Sequence, residues 1–308
     1  MTGPHAHTDH AATRAGQHTR ALATTLGLTT TFLVVEVVGA IWTGSLALLA
    51  DAGHMLTDVG GLVLALFAIR FAAKPPTPEK TYGFYRVEIL AALVNALVLL
   101  GISAFILYEA YRRFLDPPPV LGRPMLVVAT VGLAVNIVGV WLLRSRSQES
   151  LNLTGAYLEV VSDALGSVGV IVAALIVLTT GWQLADPLIG AGIGLFIIPR
   201  TWELLRQAVN ILLEGTPPHI NLGEVQGAMA AVRGTVQVHD LHVWTLTSGK
   251  YAMSGHVVVD DVVAADRILR ELHALLHDRF GVEHTTIQIE PRQLVQIADR
   301  DGQSTSTK

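Results

Sequence analysis

The chain of 308 residues contains no cysteine. Disulfide bridges, thiolate metal ligands, cysteine nucleophiles and iron–sulfur clusters are therefore excluded. Charged residues are also scarce, at 15% of the chain, whereas 51% of the residues are hydrophobic. Soluble proteins carry about a quarter charged residues. This composition is typical of a membrane protein, and it excludes a disordered chain. The net charge is −4, so the chain as a whole does not attract polyanions and no nucleic-acid partner is expected.

Long apolar runs fill the region from residue 21 to residue 213. A helix needs about 20 mostly apolar residues to cross a bilayer. The runs are separated by turns and by proline-rich or charged segments, which cannot continue an apolar helix. The pattern predicts a transmembrane domain over 21–213 with six spans, at 21–42, 46–72, 87–108, 125–143, 154–178 and 184–200.

Basic residues near the spans predict the orientation of the chain. With both termini in the cytoplasm, the inner segments hold ten of them: Arg14, Arg20, Arg70, Lys74, Lys80, Arg86, Arg144, Arg146, Arg200 and Arg206. The outer loops hold three: Arg112, Arg113 and Arg123. The start of the chain has no pattern of a cleaved signal peptide. We therefore expect a multi-pass protein of the cell inner membrane with cytoplasmic N- and C-termini.

The sequence pattern of the segment 214–292 is typical of a soluble domain. Amphipathic periodicity predicts helices at 222–232 and 264–279, and alternating β-branched residues predict strands at 236–246, 251–259 and 285–290. The order α-β-β-α-β predicts a small α+β domain with a ferredoxin-like layout. A polar, histidine-rich tail (1–20) precedes the membrane domain, and the polar segment 293–308 is expected to be disordered.

Two pairs of ionisable residues fall within the predicted spans, where such residues are costly and usually functional. His54 and Asp58 are four residues apart in the second span, and Glu159 and Asp163 are four apart in the fifth. This spacing places each pair on one face of its helix. If the two helices pack together, one imidazole and three carboxylates meet, which is a set suited to a tetrahedral divalent cation, typically zinc. The alternative to a metal site is a structural role, in which these side chains form hydrogen bonds between the two helices.

The segments HMLTDVGG (54–61) and EVVSDALG (159–166) resemble each other at a constant offset of 105 residues. This repeat favours two three-span halves with a site near the middle of the membrane, as in many transporters. Four further carboxylates are interpreted separately. Glu109 and Asp186, at span ends, are expected to be structural, Asp51 has the position of a helix cap or a ligand, and Glu36 is left undecided.

Four segments together resemble the cation diffusion facilitators, and most closely their Czc-type cobalt–zinc–cadmium members. They are SLALLADAGHMLTD (45–58), YGFYRVEILAALVNA (82–96), GAYLEVVSDALGSVGVI (155–171) and VHDLHVWTL (238–246). The resemblance covers residues 20–292. It implies a homodimeric six-span exporter of divalent metal that exchanges metal for protons and carries a cytoplasmic ferredoxin-like domain.

The resemblance also implies roles for residues. His54, Asp58, Glu159 and Asp163 fall on the transport-site positions of the family. Many zinc members have histidine where this chain has Glu159. The third carboxylate makes this site more negative than theirs, and a harder ligand set in the hard–soft sense. Zinc stays favoured, with cobalt and cadmium, and even manganese, as alternatives.

In the cytoplasmic domain, His239, His256 and Glu290 match positions where the family binds zinc at or near the dimer interface. Either Glu283 or His284 would add a further ligand, because the local spacing shifts between relatives. Zinc there would act as a regulatory ligand that draws the two halves of the dimer together.

The remaining histidines are expected to be less specific. His242 lies three residues from His239 on the same strand, and we expect it on the opposite face of the sheet, in a structural role. His273 and His277 are interpreted as surface residues of a helix. Four histidines of the N-terminal tail are suited only to loose metal binding: His5, His7, His10 and His18.

These patterns predict an antiporter in which helices rock around a fixed metal site. Clustered carboxylates bind protons when the metal is absent, and metal binding displaces them. Two alternatives are weighed. An intramembrane metalloprotease would need an H-E-x-x-H motif, and no second histidine lies in any predicted span. A non-transporting metal sensor would work through the cytoplasmic domain alone.

Overall fold

A computed structural model describes residues 27–72, 74–144 and 151–292. The histidine-rich segment 1–20, the C-terminal segment 293–308 and residues 145–150 of the loop after the fourth predicted span lie outside the described residues. The predictions made for those segments therefore stay predictions.

Six helices follow one another in the region predicted to be transmembrane. They are α1 (Gly27–Thr43), α2 (Leu46–Ala72), α3 (Arg86–Leu115), α4 (Gly122–Arg144), α5 (Leu151–Thr180) and α6 (Ala185–Leu212). Four helical segments in the described part of the chain are long and apolar enough to cross a membrane: Arg86–Leu115, Gly122–Arg144, Tyr157–Thr180 and Ala185–Leu212. Large apolar side chains point outward on these helices, as Trp141 (74% exposed) and Phe196 (75% exposed) do. Such surfaces are stable in lipid rather than water.

The described residues form two compact units, each built from separated segments. The first unit contains residues 27–64 and 94–204, and the second contains residues 65–93 and 205–292.

Glycines in the first unit allow its helices to approach closely. A Cβ atom at Gly132 of α4 would lie 2.3 Å from the ring of Phe32 on α1. A Cβ atom at Gly190 of α6 would lie 3.1 Å from the backbone carbonyl of Leu46 on α2. The packing of α1 on α4 and of α2 on α6 therefore depends on the missing side chains.

Asp186, at the start of α6, fixes the first turn of α2. Its carboxylate is fully buried and accepts hydrogen bonds from the Ser45 hydroxyl (2.5 Å) and from the backbone N–H groups of Leu46 (2.6 Å) and Ala47 (3.2 Å). The Arg113 guanidinium lies 3.6 Å away and compensates the charge. The N-terminal N–H groups of a helix need such acceptors. These contacts agree with the structural role predicted for Asp186.

The second unit contains a three-stranded sheet with helices on one face. Its elements are α7 (Leu222–Ala230), β1 (Thr235–Thr247), β2 (Lys250–Val259), a 3-10 turn (Val262–Ala264), α8 (Ala265–Phe280) and β3 (Val282–Pro291). β2 lies in the centre, antiparallel to β1 and parallel to β3, and α8 makes the crossover that a parallel pair requires. The order of elements predicted from the sequence is confirmed.

Local signals in the sequence explain these boundaries. The Asn221 side chain caps α7 by accepting from the N–H of Gly223 at 2.9 Å. Gly281 ends α8 with a φ of 67°, in the left-handed region that favours glycine. The inward face of the sheet packs its apolar residues, such as Val243 and Val257, against Ile268 and Leu272 of α8. The opposite face carries the histidines.

A β-bulge in β1 reverses one prediction. His239 pairs with His256, whereas His242 pairs with Ser254, so β1 has one residue more than β2 across this interval. Asp240, within the bulge, has a φ of 51°. Because paired residues share a face and Ser254 and His256 are two apart, His242 lies on the same face as His239. The expectation that it lies on the opposite face was wrong.

Candidate metal centres

α2 and α5 bring the four predicted membrane ligands together. His54 Nε2 lies 3.6 Å from Asp58 Oδ2, 3.6 Å from Glu159 Oε1 and 3.9 Å from Asp163 Oδ1. Ligands of a tetrahedral zinc ion lie about 3.4 Å apart, since Zn–N and Zn–O bonds are about 2.0–2.2 Å long. One atom each from His54, Asp58 and Asp163 already falls within 4.8 Å of the others. The cluster has the size and donor set that a small divalent cation requires.

Several polar atoms of this cluster have no partner. His54 Nδ1, Asp58 Oδ2 and Asp163 Oδ1 are buried without a hydrogen bond from any described residue. Unpartnered polar atoms in a protein interior are costly unless a ligand satisfies them. A bound cation would satisfy both carboxylate oxygens.

Arg200 of α6 is a member of this site that the sequence analysis did not identify. Its guanidinium donates to both oxygens of Glu159, with Nη2 at 2.7 Å from Oε2 and Nη1 at 3.2 Å from Oε1. The sequence analysis counted Arg200 only among the basic residues that set the orientation. Its one local signal is its place directly after Pro199, inside the last helix.

The other carboxylates of the membrane helices fall into two groups. Glu109 forms an ion pair with Arg113 at 3.0 Å, which agrees with the structural role expected for it. Asp51 is not the cap of α2, because it lies in the second turn and Asp186 caps that helix. Asp51 instead contacts Glu36 of α1, and both side chains are buried.

A second cluster lies on the open face of the three-stranded sheet. Glu290 joins two histidines, with Oε2 at 3.0 Å from His239 Nε2 and Oε1 at 2.8 Å from His256 Nδ1. Ligand atoms of the three residues lie within 4.8 Å of one another. Burial acts to raise the pKa of Glu290, but hydrogen bonds from His239 and Gln288, with the charge of the two histidines, hold that pKa below its ordinary range. Glu290 is therefore ionised at neutral pH, the state in which a carboxylate can bind a metal ion.

The bulge brings two further side chains to this face. Asp240 Oδ1 lies 3.0 Å from His242 Nε2, and its other oxygen lies 3.7 Å from His256 Nε2. The sequence analysis placed His242 on the opposite face of the sheet. Asp240 is the signal that could have indicated the bulge, because aspartate is one of the residue types that tolerate a positive φ.

The two alternative extra ligands do not reach this cluster within one chain. His284 pairs with Ala252, four residues along β2 from His256, and its ring meets the edge of Tyr82. Glu283 precedes it on β3. Neither belongs to the group formed by the described residues around Glu290.

The helix histidines are engaged with neighbours. The His273 ring contacts the Thr285 hydroxyl, and His277 Nδ1 lies 2.9 Å from the Asp278 carboxylate. Both side chains lie on the exposed surface. The interpretation of this pair as surface residues agrees with these contacts.

The fold defines a multi-pass membrane protein with a small α+β domain, and each part carries a cluster of side chains that could hold a metal ion. Comparison with known proteins supports this class. The sequence profile of the cation efflux transmembrane domain matches residues 22–213. The profile of the cation efflux protein cytoplasmic domain matches residues 217–292.

Curated relatives match along most of the chain. The metal cation efflux system protein CzcD of Cupriavidus metallidurans is 48% identical over 291 residues, covering 94% of this chain and 90% of the relative. The zinc transporter ZitB of Shigella flexneri is 44% identical over 273 residues, covering 88% and 87%. The cadmium, cobalt and zinc/H(+)-K(+) antiporter of Bacillus subtilis is 40% identical over 281 residues, covering 89% and 90%. The chain belongs to the cation efflux family, the cation diffusion facilitators, and it is a transporter rather than an enzyme.

Proposed function

We propose that this protein exports divalent metal from the cytoplasm in exchange for protons, with zinc as the main substrate and cobalt and cadmium as further ones. One observation carries the proposal: between α2 and α5, the buried and unpartnered oxygens Asp58 Oδ2 and Asp163 Oδ1 lie 3.6 Å and 3.9 Å from His54 Nε2. Glu159 completes the four-ligand site. The names of the relatives, which include zinc, cobalt and cadmium, support this substrate class.

In the proposed cycle, the helices rock around a metal site whose four ligands stay together. The cation binds from the cytoplasm, and rocking of the helices then opens the site to the outside. Protons from outside neutralise the emptied carboxylates, and the next cation displaces them inward. The proposal includes six spans, cytoplasmic termini and a location in the bacterial inner membrane.

In the second unit, we propose a ferredoxin-like domain with a regulatory zinc site at His239, His256 and Glu290. The match to a domain that belongs to the cytoplasmic part of such transporters supports this assignment. The protein would be a homodimer, and a partner copy would supply either Glu283 or His284 as a further ligand.

Zinc uptake into sealed proteoliposomes with an imposed pH gradient tests the proposal. We expect gradient-dependent flux in the wild type and its loss, by at least about 10-fold, in Asp163→Asn, because even the loss of a hydrogen-bond partner of a metal ligand costs about 10-fold to 100-fold in affinity or activity. Glu109→Gln is the matched control, since that carboxylate lies in a spanning helix but pairs with Arg113. Equal flux in wild type and Asp163→Asn would refute the site.

A metal sensor that does not transport is the second candidate. The cluster around Glu290 favours it, because three ligand atoms converge there independently of the membrane site. A folded wild-type protein that binds zinc in this cluster but moves no zinc, cobalt or cadmium across the membrane would establish the sensor.

A further inference from the structure

Two carboxyl groups lie together in the first unit, outside the four-ligand cluster. Glu36, in the middle of α1, contacts Asp51, in the second turn of α2. Their exposed fractions are 1% and 2%. Glu36 Oε2 and Asp51 Oδ2 are buried and have no hydrogen-bond partner among the described residues. The proposed metal cycle uses neither side chain.

The surroundings of this pair are shaped to hold it. A Cβ atom on Gly166 of α5 would lie 2.6 Å from Asp51 Oδ1, so the space for this carboxyl exists only because residue 166 is glycine. Ser167, the next residue, hydrogen-bonds Asp51. The Asn136 side-chain amide of α4 donates to the Ser167 hydroxyl at 3.3 Å, which leaves the hydroxyl proton for Asp51.

Two touching carboxylates cannot both stay ionised in such a place. A buried charge is costly unless it is paired, and like charges in contact add to this cost. A single proton held between the two groups removes one charge and forms a strong hydrogen bond to the other. The pair therefore has the chemistry of a proton-binding site.

We propose that Glu36 and Asp51 share one proton and form a proton-binding site of the transport cycle, separate from the metal ligands. The inference rests on the proposed exchange of metal for protons. It assigns one of those protons to residues that do not touch the metal.

Asp163 connects this site to the metal. It is the charged group that faces the pair from α5, close enough to interact electrostatically with both carboxyls, whereas α4 contributes the neutral Asn136. A divalent cation bound at Asp163 repels a proton on the neighbouring pair. The pair then releases its proton to the cytoplasm, and after the metal leaves it takes another proton from the outside.

Proton release on zinc binding tests this site directly. Calorimetric titration of the full chain with zinc, in buffers of different ionisation enthalpy, gives the number of protons released per metal. We expect Glu36→Gln and Asp51→Asn to bind zinc at the wild-type stoichiometry and to release about one proton fewer. Glu109→Gln is the matched control and should release the wild-type number. A wild-type proton count in both Glu36→Gln and Asp51→Asn would overturn the proposal.

Infrared spectroscopy of the metal-free wild type gives a second measurement that does not depend on those variants folding. We expect the carbonyl band of a protonated carboxyl at neutral pH, its loss when zinc is added, and a shift of its frequency in Ser167→Ala. Absence of the band, or a band unmoved in Ser167→Ala, would refute the shared proton. If the wild type moves no zinc under a pH gradient, the proposed exchange fails, while these two measurements still decide whether the pair holds a proton.

Discussion

Arg200 and Glu159 form a two-pronged ion pair, in which both guanidinium nitrogens donate to the carboxylate, at 2.7 Å and 3.2 Å. The same carboxylate lies 3.6 Å from His54 Nε2 and belongs to the proposed transport site. Arg200 therefore stands where a cation would compete for Glu159. A histidine at position 159 could not accept both hydrogen bonds, because it offers at most one acceptor nitrogen. The ion pair therefore depends on glutamate at position 159.

We expect Arg200→Gln to raise the zinc affinity of the membrane site by about threefold to tenfold, the range expected when a partly exposed charge-assisted pair is removed. The measurement is a competition titration against a chelating dye, in a His239→Ala, His256→Ala background that removes the cytoplasmic cluster. Arg206→Gln, on the same helix, is the control and should leave the affinity unchanged. Unchanged or weaker binding in Arg200→Gln would show that Arg200 does not compete with the metal.

The close contact of α6 with α2 predicts opposite effects at two nearby glycines. Gly190→Ala should destabilise the protein by about 1–3 kcal/mol, because its Cβ would press on the backbone of Leu46, which cannot move aside as a side chain can. Gly192→Ala meets nothing within 4 Å and should raise stability by up to about 1 kcal/mol through helix propensity. The thermal unfolding midpoint in detergent measures both variants. Equal midpoints would contradict the packing of α6 on α2.

The cap at the start of α2 predicts a structural role for Asp186 that does not involve metal. Asp186→Ala should lower the free energy of unfolding by about 2–4 kcal/mol. The substitution removes three hydrogen bonds and one of the ion pairs of Arg113. Thermal unfolding measures this effect, with the exposed Asp116→Ala as control. Loss of zinc binding in Asp186→Ala samples that keep the wild-type midpoint would contradict a purely structural role.

The strand register predicts which glutamate binds metal in the cytoplasmic cluster. We expect Glu290→Gln to weaken zinc binding there by about 10-fold or more, because it removes the anionic ligand that joins His239 and His256. Glu283→Gln tests the alternative glutamate on the same strand, and Glu271→Gln, on the exposed surface of α8, is the control. An Asp58→Asn, Asp163→Asn background isolates this cluster in a zinc titration. A larger effect from Glu283→Gln would mean that a partner copy, rather than β3 of the same chain, completes the site.

The lowered pKa of Glu290 also predicts a pH dependence of stability without metal. A folded-state pKa below the unfolded value stabilises the fold at pH above the unfolded value, which is about 4.3 for glutamate. That stabilisation is lost as the pH falls through the lower, folded-state pKa. The difference in unfolding midpoint between wild type and Glu290→Gln, with chelator present, should therefore be present at neutral pH and shrink below about pH 4. A difference that grows in acid would contradict the direction of the shift.

The four-residue cluster shows how much the sequence could predict about the site. The spacing of four within each pair fixes one helix face for His54 with Asp58 and for Glu159 with Asp163, because a helix turns once in about 3.6 residues. That α2 and α5 lie close enough for the pairs to meet does not follow from spacing. The repeat and the family resemblance indicated it, and the distances of 3.6 Å and 3.9 Å agree.

Arg200 and the Glu36–Asp51 pair mark the limit of that reasoning. Each partner comes from a different helix, so its neighbour depends on the rotation and crossing of whole helices. No local pattern encodes these quantities. From position along the span alone, the role of Glu36 was undecided, and Asp51 was interpreted either as a helix cap or as a ligand. Only the packing around Gly166 shows what Asp51 contacts.

The sequence by itself determined the membrane domain, the order of the soluble elements and the ligand types, because hydropathy, periodicity and caps act over a few neighbouring residues. Only the tertiary structure decided which charges compensate one another and which face His242 occupies. One extra residue in the bulge at Asp240 changes the alternation of the strand, and such a residue is detected only by its pairing with β2. Contacts between distant segments depend on how the elements pack, and that is a property of the whole fold.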